Sequence, residues 1–150
     1  MKTDVSFHVD GDLEQILSKL IAPESPLKLN QKIDDWYMLD SQDPVLTHFF
    51  CYGTQDPETT NQPLHENAQK VLGFKSGNSL TYGGCYLNPE KIAVFKKIME
   101  YIVSQKIPAY MTVADYNCGE EHLVTGCNPK TGVDIKNDAF DLEKRLAEHN

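Results

Sequence analysis

"SLTYGGCYLNPEKIAVFKKIMEYIVSQKIPAYMTVADY" (Ser79–Tyr116) changes its hydrophobic period twice, and those two changes decide the fold class. Ser79–Leu87 is rich in aromatic and branched residues, as a strand is, but Gly83 and Gly84 interrupt it. Two glycines inside a strand predict a bulge or a close backbone approach. A helix start then follows in three residues: Asn88 to cap, Pro89 in the first helical position, and Glu90 at the positive end of the helix dipole. Ile92, Phe95, Ile98, Met99 and Ile102 recur at helical spacing and make one buried stripe, while Lys96, Lys97 and Glu100 fall on the wet side. The period returns to strand over "IPAYMTVADY".

The same reading extends in both directions. In "DVSFHV" (residues 4–9), Val5, Phe7 and Val9 share one face and Asp4, Ser6 and His8 the other, which predicts a strand with one buried face. Leu13, Ile16, Leu17, Leu20 and Ile21 form a helical stripe, with Asp10 or Asp12 as its cap and Pro23 beyond its end. Ile33–Leu39 and Val45–Tyr52 read as an antiparallel pair joined by a turn. Residues 63–74 read as a short helix ended by Gly73, and residues 138–150 as a last helix capped by Asn137 or Asp138. The polar stretch 53–63 reads as a surface loop. The expected fold is α+β: one domain over residues 1–150, a mainly antiparallel or mixed sheet, and about four helices packed mostly on one face.

Composition narrows the function classes. The chain has 150 residues and a net charge of −8. Residues 1–75 carry 6 Lys against 12 acids, and the rest carry 8 Lys or Arg against 10 acids. Too few cations are present to release counterions from a polyanion, so neither nucleic acid nor an anionic membrane is expected as a partner. The start of the chain turns acidic within four residues and has no apolar run, which predicts a cytoplasmic protein with reduced thiols at Cys51, Cys85, Cys118 and Cys127.

"NCGEEHLVTGC" (Asn117–Cys127) brings two thiols, a histidine and two glutamates together in sequence. Pairing residues 107–116 with 121–127 around the turn puts Asp115 opposite His122, Val113 opposite Val124 and Tyr110 opposite Cys127. Cys118 and Cys127 are then about 20 Å apart, too far for a disulfide or a shared metal. The same register sets Asp115, His122 and Cys118 near one turn, the grouping of an activated thiol. A plain cross-strand Asp–His pair at the exposed end of a hairpin is the better explanation of them. His65 and Glu66 begin a zinc-protease pattern, but position 69 is Gln, so the second ligand is missing. His48 reads as a core or strand histidine. No metal site and no cofactor are expected.

"KIDDWYMLDSQD" (Lys32–Asp43) points to recognition instead. Trp36 and Tyr37 are aromatic anchors, and Asp34, Asp35, Asp40 and Asp43 rim them with negative charge. Anchors supply binding energy and acids steer a basic partner. The expected function is therefore a non-catalytic protein-binding module. Its most concrete form is an immunity protein that neutralises a basic, nuclease-like toxin by occlusion. A small thiol enzyme using Cys118, His122 and Asp115 is the alternative. The oligomeric state is left open.

Overall fold

The computed structural model describes residues 2–53, 62–115, 119–137 and 140–148. One eight-stranded sheet organises them, with every hydrogen-bonded pair of strands antiparallel and the order β2-β3-β4-β5-β1-β6-β7-β8. The elements in chain order are β1 (Lys2–Asp10), α1 (Leu13–Leu20), β2 (Leu27–Ile33), β3 (Trp36–Ser41), β4 (Phe49–Gly53) and α2 (Gln62–Leu72). They continue with β5 (Gly77–Tyr86), α3 (Pro89–Ser104), β6 (Ala109–Asp115), β7 (Glu121–Asn128), β8 (Val133–Lys136) and α4 (Leu142–Glu148). The α+β expectation holds.

The opening stretch is β5-α3-β6. Its two strands lie on either side of β1, each antiparallel to it. They therefore run in the same direction, and α3 carries the chain across β1 from one to the other. The stripe predicted for α3 is buried, and Phe95 packs on Phe7 and Phe49 with ring centroids 6.3 and 6.2 Å away. Val5, Phe7 and Val9 of β1 are fully buried beneath it, and α1 and the start of α4 complete this layer. The expected cap forms: Asn88 Oδ1 accepts from the Lys91 amide at 2.8 Å. The paired glycines act as expected too. Gly84 sits at φ +65°, the β1–β5 register shifts there, and Asp4 Oδ1 accepts the Gly84 amide at 2.7 Å.

Four local readings need correction. Strand β2 has no readable pattern, because only Leu27 is buried along it and residues 28–32 face water. An edge strand that buries one face of one residue leaves no alternation to read. Its pairing with β3 makes Asp34 and Asp35 the two-residue turn between Ile33 and Trp36, with Asp34 at φ +52°, rather than strand residues. α4 begins later than expected, and its first amides, those of Glu143 and Lys144, are taken by Asp141 Oδ1 at 2.9 and 3.0 Å. His48 is exposed in a left-handed conformation (φ +67°), neither core nor strand.

The register between β6 and β7 also differs. Tyr110 lies opposite Gly126, and Val113 opposite His122. Two features move the pairing. Val124 is an extra residue in a bulge, and the loop closes one rung earlier through Gly119 (φ +69°), whose amide bonds Asp115 O at 2.8 Å. Val124 still packs against the core, because a bulge adds a residue without changing which face the layer needs.

Candidate functional site

The sheet's second face is divided. α2 packs on it over β6, β7 and β8, through a small apolar cluster of Ala68, Leu72 and Tyr110 supported by Phe74, Leu123 and Ile135. Gly126 permits the close approach: a Cβ there would lie 3.0 Å from Tyr110 Cβ and 3.1 Å from Leu72 Cδ1. At the helix end, Asn128 Nδ2 donates to Leu72 O at 2.7 Å, which satisfies a carbonyl the helix leaves unpaired.

Beneath α2 lies a connected polar group. Strand alternation turns His8 of β1 away from the core, and its imidazole stacks on Tyr110 of β6 with centroids 4.6 Å apart and planes at 14°. His65 of α2 meets the edge of His8 at 4.7 Å. His65 Nδ1 hydrogen-bonds the Tyr110 hydroxyl at 2.8 Å, and its Nε2 faces Glu121 Oε1 at 2.9 Å. Gln69, one helical turn after His65, donates to the same hydroxyl at 3.1 Å. His8 Nε2 lies 3.2 Å from Thr112 Oγ1, and its Nδ1 3.4 Å from Ser79 Oγ. His65 is buried, while His8 and Glu121 are half-buried.

This environment sets the charges. Loss of solvent, then the neighbouring His65, drives the His8 pKa down to about 3 against the pull of Glu121, so His8 is a neutral imidazole. Burial alone would raise Glu121. The hydrogen bond and charge of His65, with help from Thr112 and His8, outweigh it and hold the carboxyl below its ordinary value. Burial raises the Tyr110 phenol to about 12, opposed by Gln69 and reinforced by Glu121. The arrangement is thus a carboxylate, two imidazoles and a phenol that stays protonated. It can hold a proton in place or supply three donors to a cation.

Sequence reasoning missed this group. The zinc-protease test asked for a second ligand on the helix of His65, whereas its neighbours come from β1 and β7. The one legible sign was that Gln69 shares His65's helical face, four residues on.

The open half of the second face spans β2 to β5. Paired residues share a face, so Met38, Phe50 and Thr81 lie in one row, with Trp36 and Tyr52 beside them. Trp36 meets Phe50 edge to face at 5.0 Å, and Tyr52 is 39% exposed. Among the described residues no helix packs on this row. A recess of about 420 Å³ adjoins it, lined by Met38, Thr47, His48, Phe50, Tyr82 and Gly83.

The residues singled out in "KIDDWYMLDSQD" therefore separate. Trp36 stands on the open face with Asp34 and Asp35 exposed at the hairpin tip. Tyr37 turns to the opposite side, pairs with buried Cys51 and packs against the core, with Lys32 Nζ 5.6 Å from its ring centre. Asp40 is engaged, accepting from Asn30 Nδ2 at 2.9 Å and the His48 amide at 3.0 Å. Asp43 is exposed in the turn after β3.

Of the thiol grouping, Cys118 lies outside the described residues, as does Tyr116. Asp115 and His122 are not opposite one another. Asp115 Oδ2 is 3.7 Å from Arg145 Nη2, and His122 stacks on Phe140 at 4.7 Å with Glu120 at 3.7 Å. Burial raises Cys51 to about 12, burial followed by Asp134 raises Cys127 to about 11, and burial raises Cys85 against the pull of Lys91. These three remain protonated thiols at neutral pH.

No helix among the described residues is long and apolar enough to cross a membrane. Comparison with known proteins returns no match to any family model, curated protein or solved structure.

Proposed function

We propose that the chain is a non-catalytic, acidic protein-binding module, a stoichiometric inhibitor that occludes a basic partner as an immunity protein occludes a nuclease-like toxin. The observation that carries the reading is the open aromatic half-face. Trp36, Met38, Phe50 and Tyr52 line up on a sheet surface that no described helix covers, next to a hairpin tip of two exposed aspartates. Aromatic side chains in a half-covered row are the kind that dominate binding energy once a partner removes the remaining water. The net charge of −8 and the Asp34–Asp35 tip speed and orient the approach of a cationic surface. Tyr37 and Asp40 belong to the support of this surface, since one packs inward and the other holds the β3–β4 connection.

Two measurements test the reading. Native mass measurement of the chain isolated from its source cell should find a one-to-one complex with a basic protein. On that complex, exchanging Asp34 and Asp35 for Asn should slow association and flatten its salt dependence, whereas Trp36→Ala should speed dissociation. A partner that binds with unchanged rates to both variants would remove the reading.

A further inference from the structure

The geometry points to a divalent transition-metal site, for Zn²⁺ foremost, formed by His8, His65 and Glu121. One donor atom from each residue lies within 4.8 Å of the others, and His65 Nε2 and Glu121 Oε1 are already 2.9 Å apart. Donors around one zinc ion sit roughly 3.4 Å from each other, so binding would draw the widest pair in by up to about 1.4 Å and let the His65–Glu121 pair open by about 0.5 Å. His8 and Glu121, the half-buried members, are the ones that would make that adjustment.

Two features beyond proximity favour a metal. The first is the donor set: two imidazoles and one carboxylate suit a first-row divalent ion, and nitrogen donors disfavour Mg²⁺ and Ca²⁺. The second is outer support. A ligating histidine needs a partner for its other ring nitrogen. His65 Nδ1 has the Tyr110 hydroxyl at 2.8 Å, itself fixed by Gln69, and His8 has Ser79 beside its Nδ1. A hydroxyl both donates and accepts, so Tyr110 serves the tautomer in which His65 gives a proton to Glu121 and the one in which Nε2 binds an ion. Three protein ligands leave a further coordination position for water or another oxygen donor.

The test uses the full chain, freed of metal by a chelator that is then removed, and titrated with Co²⁺ as the spectroscopic probe. A visible ligand-field band should saturate at one equivalent and vanish on adding Zn²⁺ but not Mg²⁺. His8→Asn and Glu121→Gln should each weaken Co²⁺ binding by about tenfold or more with the circular dichroism of the fold retained, and His122→Asn should leave it unchanged. In the unaltered chain, Zn²⁺ should shift the ring signals of His8 and His65, which needs no variant to fold. No band, a band equally strong in the His8 and Glu121 variants, displacement by Mg²⁺, or ring shifts confined to His48 or His122 would each overturn the assignment. Any of those outcomes would make the group a polar pin between α2 and the sheet.

Discussion

The two halves of the sheet's second face solve opposite problems. Under α2, the β6–β8 half buries polar side chains, and each finds a partner: His65 with Tyr110 and Glu121, Gln69 with Tyr110, Asn128 with the end of the helix. Across β1 the β2–β5 half lacks a described helical cover and carries Trp36, Met38, Phe50 and Tyr52. Cover makes an unpaired polar group expensive, so the covered half is a closed network. Apolar groups that no described helix covers keep free energy in reserve for a partner. The proposed ion and the proposed macromolecule thus fall on the two halves of one face of the sheet, with β1 as the border between them.

Substitutions can break this contrast. The largest effect belongs under α2. Leu72→Ala removes a side chain 1% exposed that wedges against Gly126, and should cost about 2–5 kcal/mol in chemical denaturation. Gly126→Ala comes next. Its new methyl would press on Tyr110 and Leu72, and overpacking of this kind costs about 1–3 kcal/mol. Proton exchange at the amides of α2 should rise more than at those of α3. Equal rises would mean that α2 is not the separately docked layer described above. Tyr110→Phe keeps the packing but leaves His65 Nδ1 and Gln69 without their shared hydroxyl, a loss of about 1–3 kcal/mol.

On the open half the effects should be small. Trp36→Ala gives up one edge-to-face pair with Phe50, worth about 1 kcal/mol. Thermal unfolding that showed a loss as large as that of Leu72→Ala would mean the half-face is part of the core. Exchanging Asp34 and Asp35 for Asn should move stability by less than about 0.5 kcal/mol, since both are exposed turn residues, and should register only in the kinetics of partner binding.

Much of this architecture was legible in the residues. Asn88-Pro89-Glu90 announced α3, the Val5–Phe7–Val9 alternation announced β1, and the glycine pair announced the bulge at Gly84. Each rests on an interaction between residues near in sequence: a cap, a helical stripe, a two-residue period. β2 was not legible, because a solvated edge strand has no buried side to alternate. The β6–β7 register was misjudged for a related reason. Pattern tells which face a residue wants, but an extra Val124 and a loop closed by Gly119 change the pairing without disturbing that preference.

The candidate site lies further from what a pattern holds. By itself the sequence determined the acidic balance, the element types, the core face of each element, and that His8 looks away from the core. Only the tertiary structure decided that β1 lies next to β6, that α2 crosses to the second face, and that His8, His65 and Glu121 meet there. It also decided which of Trp36 and Tyr37, set on opposite faces by strand alternation, turns to the core. The physical reason is one of range. Periodicity and capping act over a few residues, while the meeting of three ionisable side chains depends on strand order and helix docking, which the burial of the whole core selects.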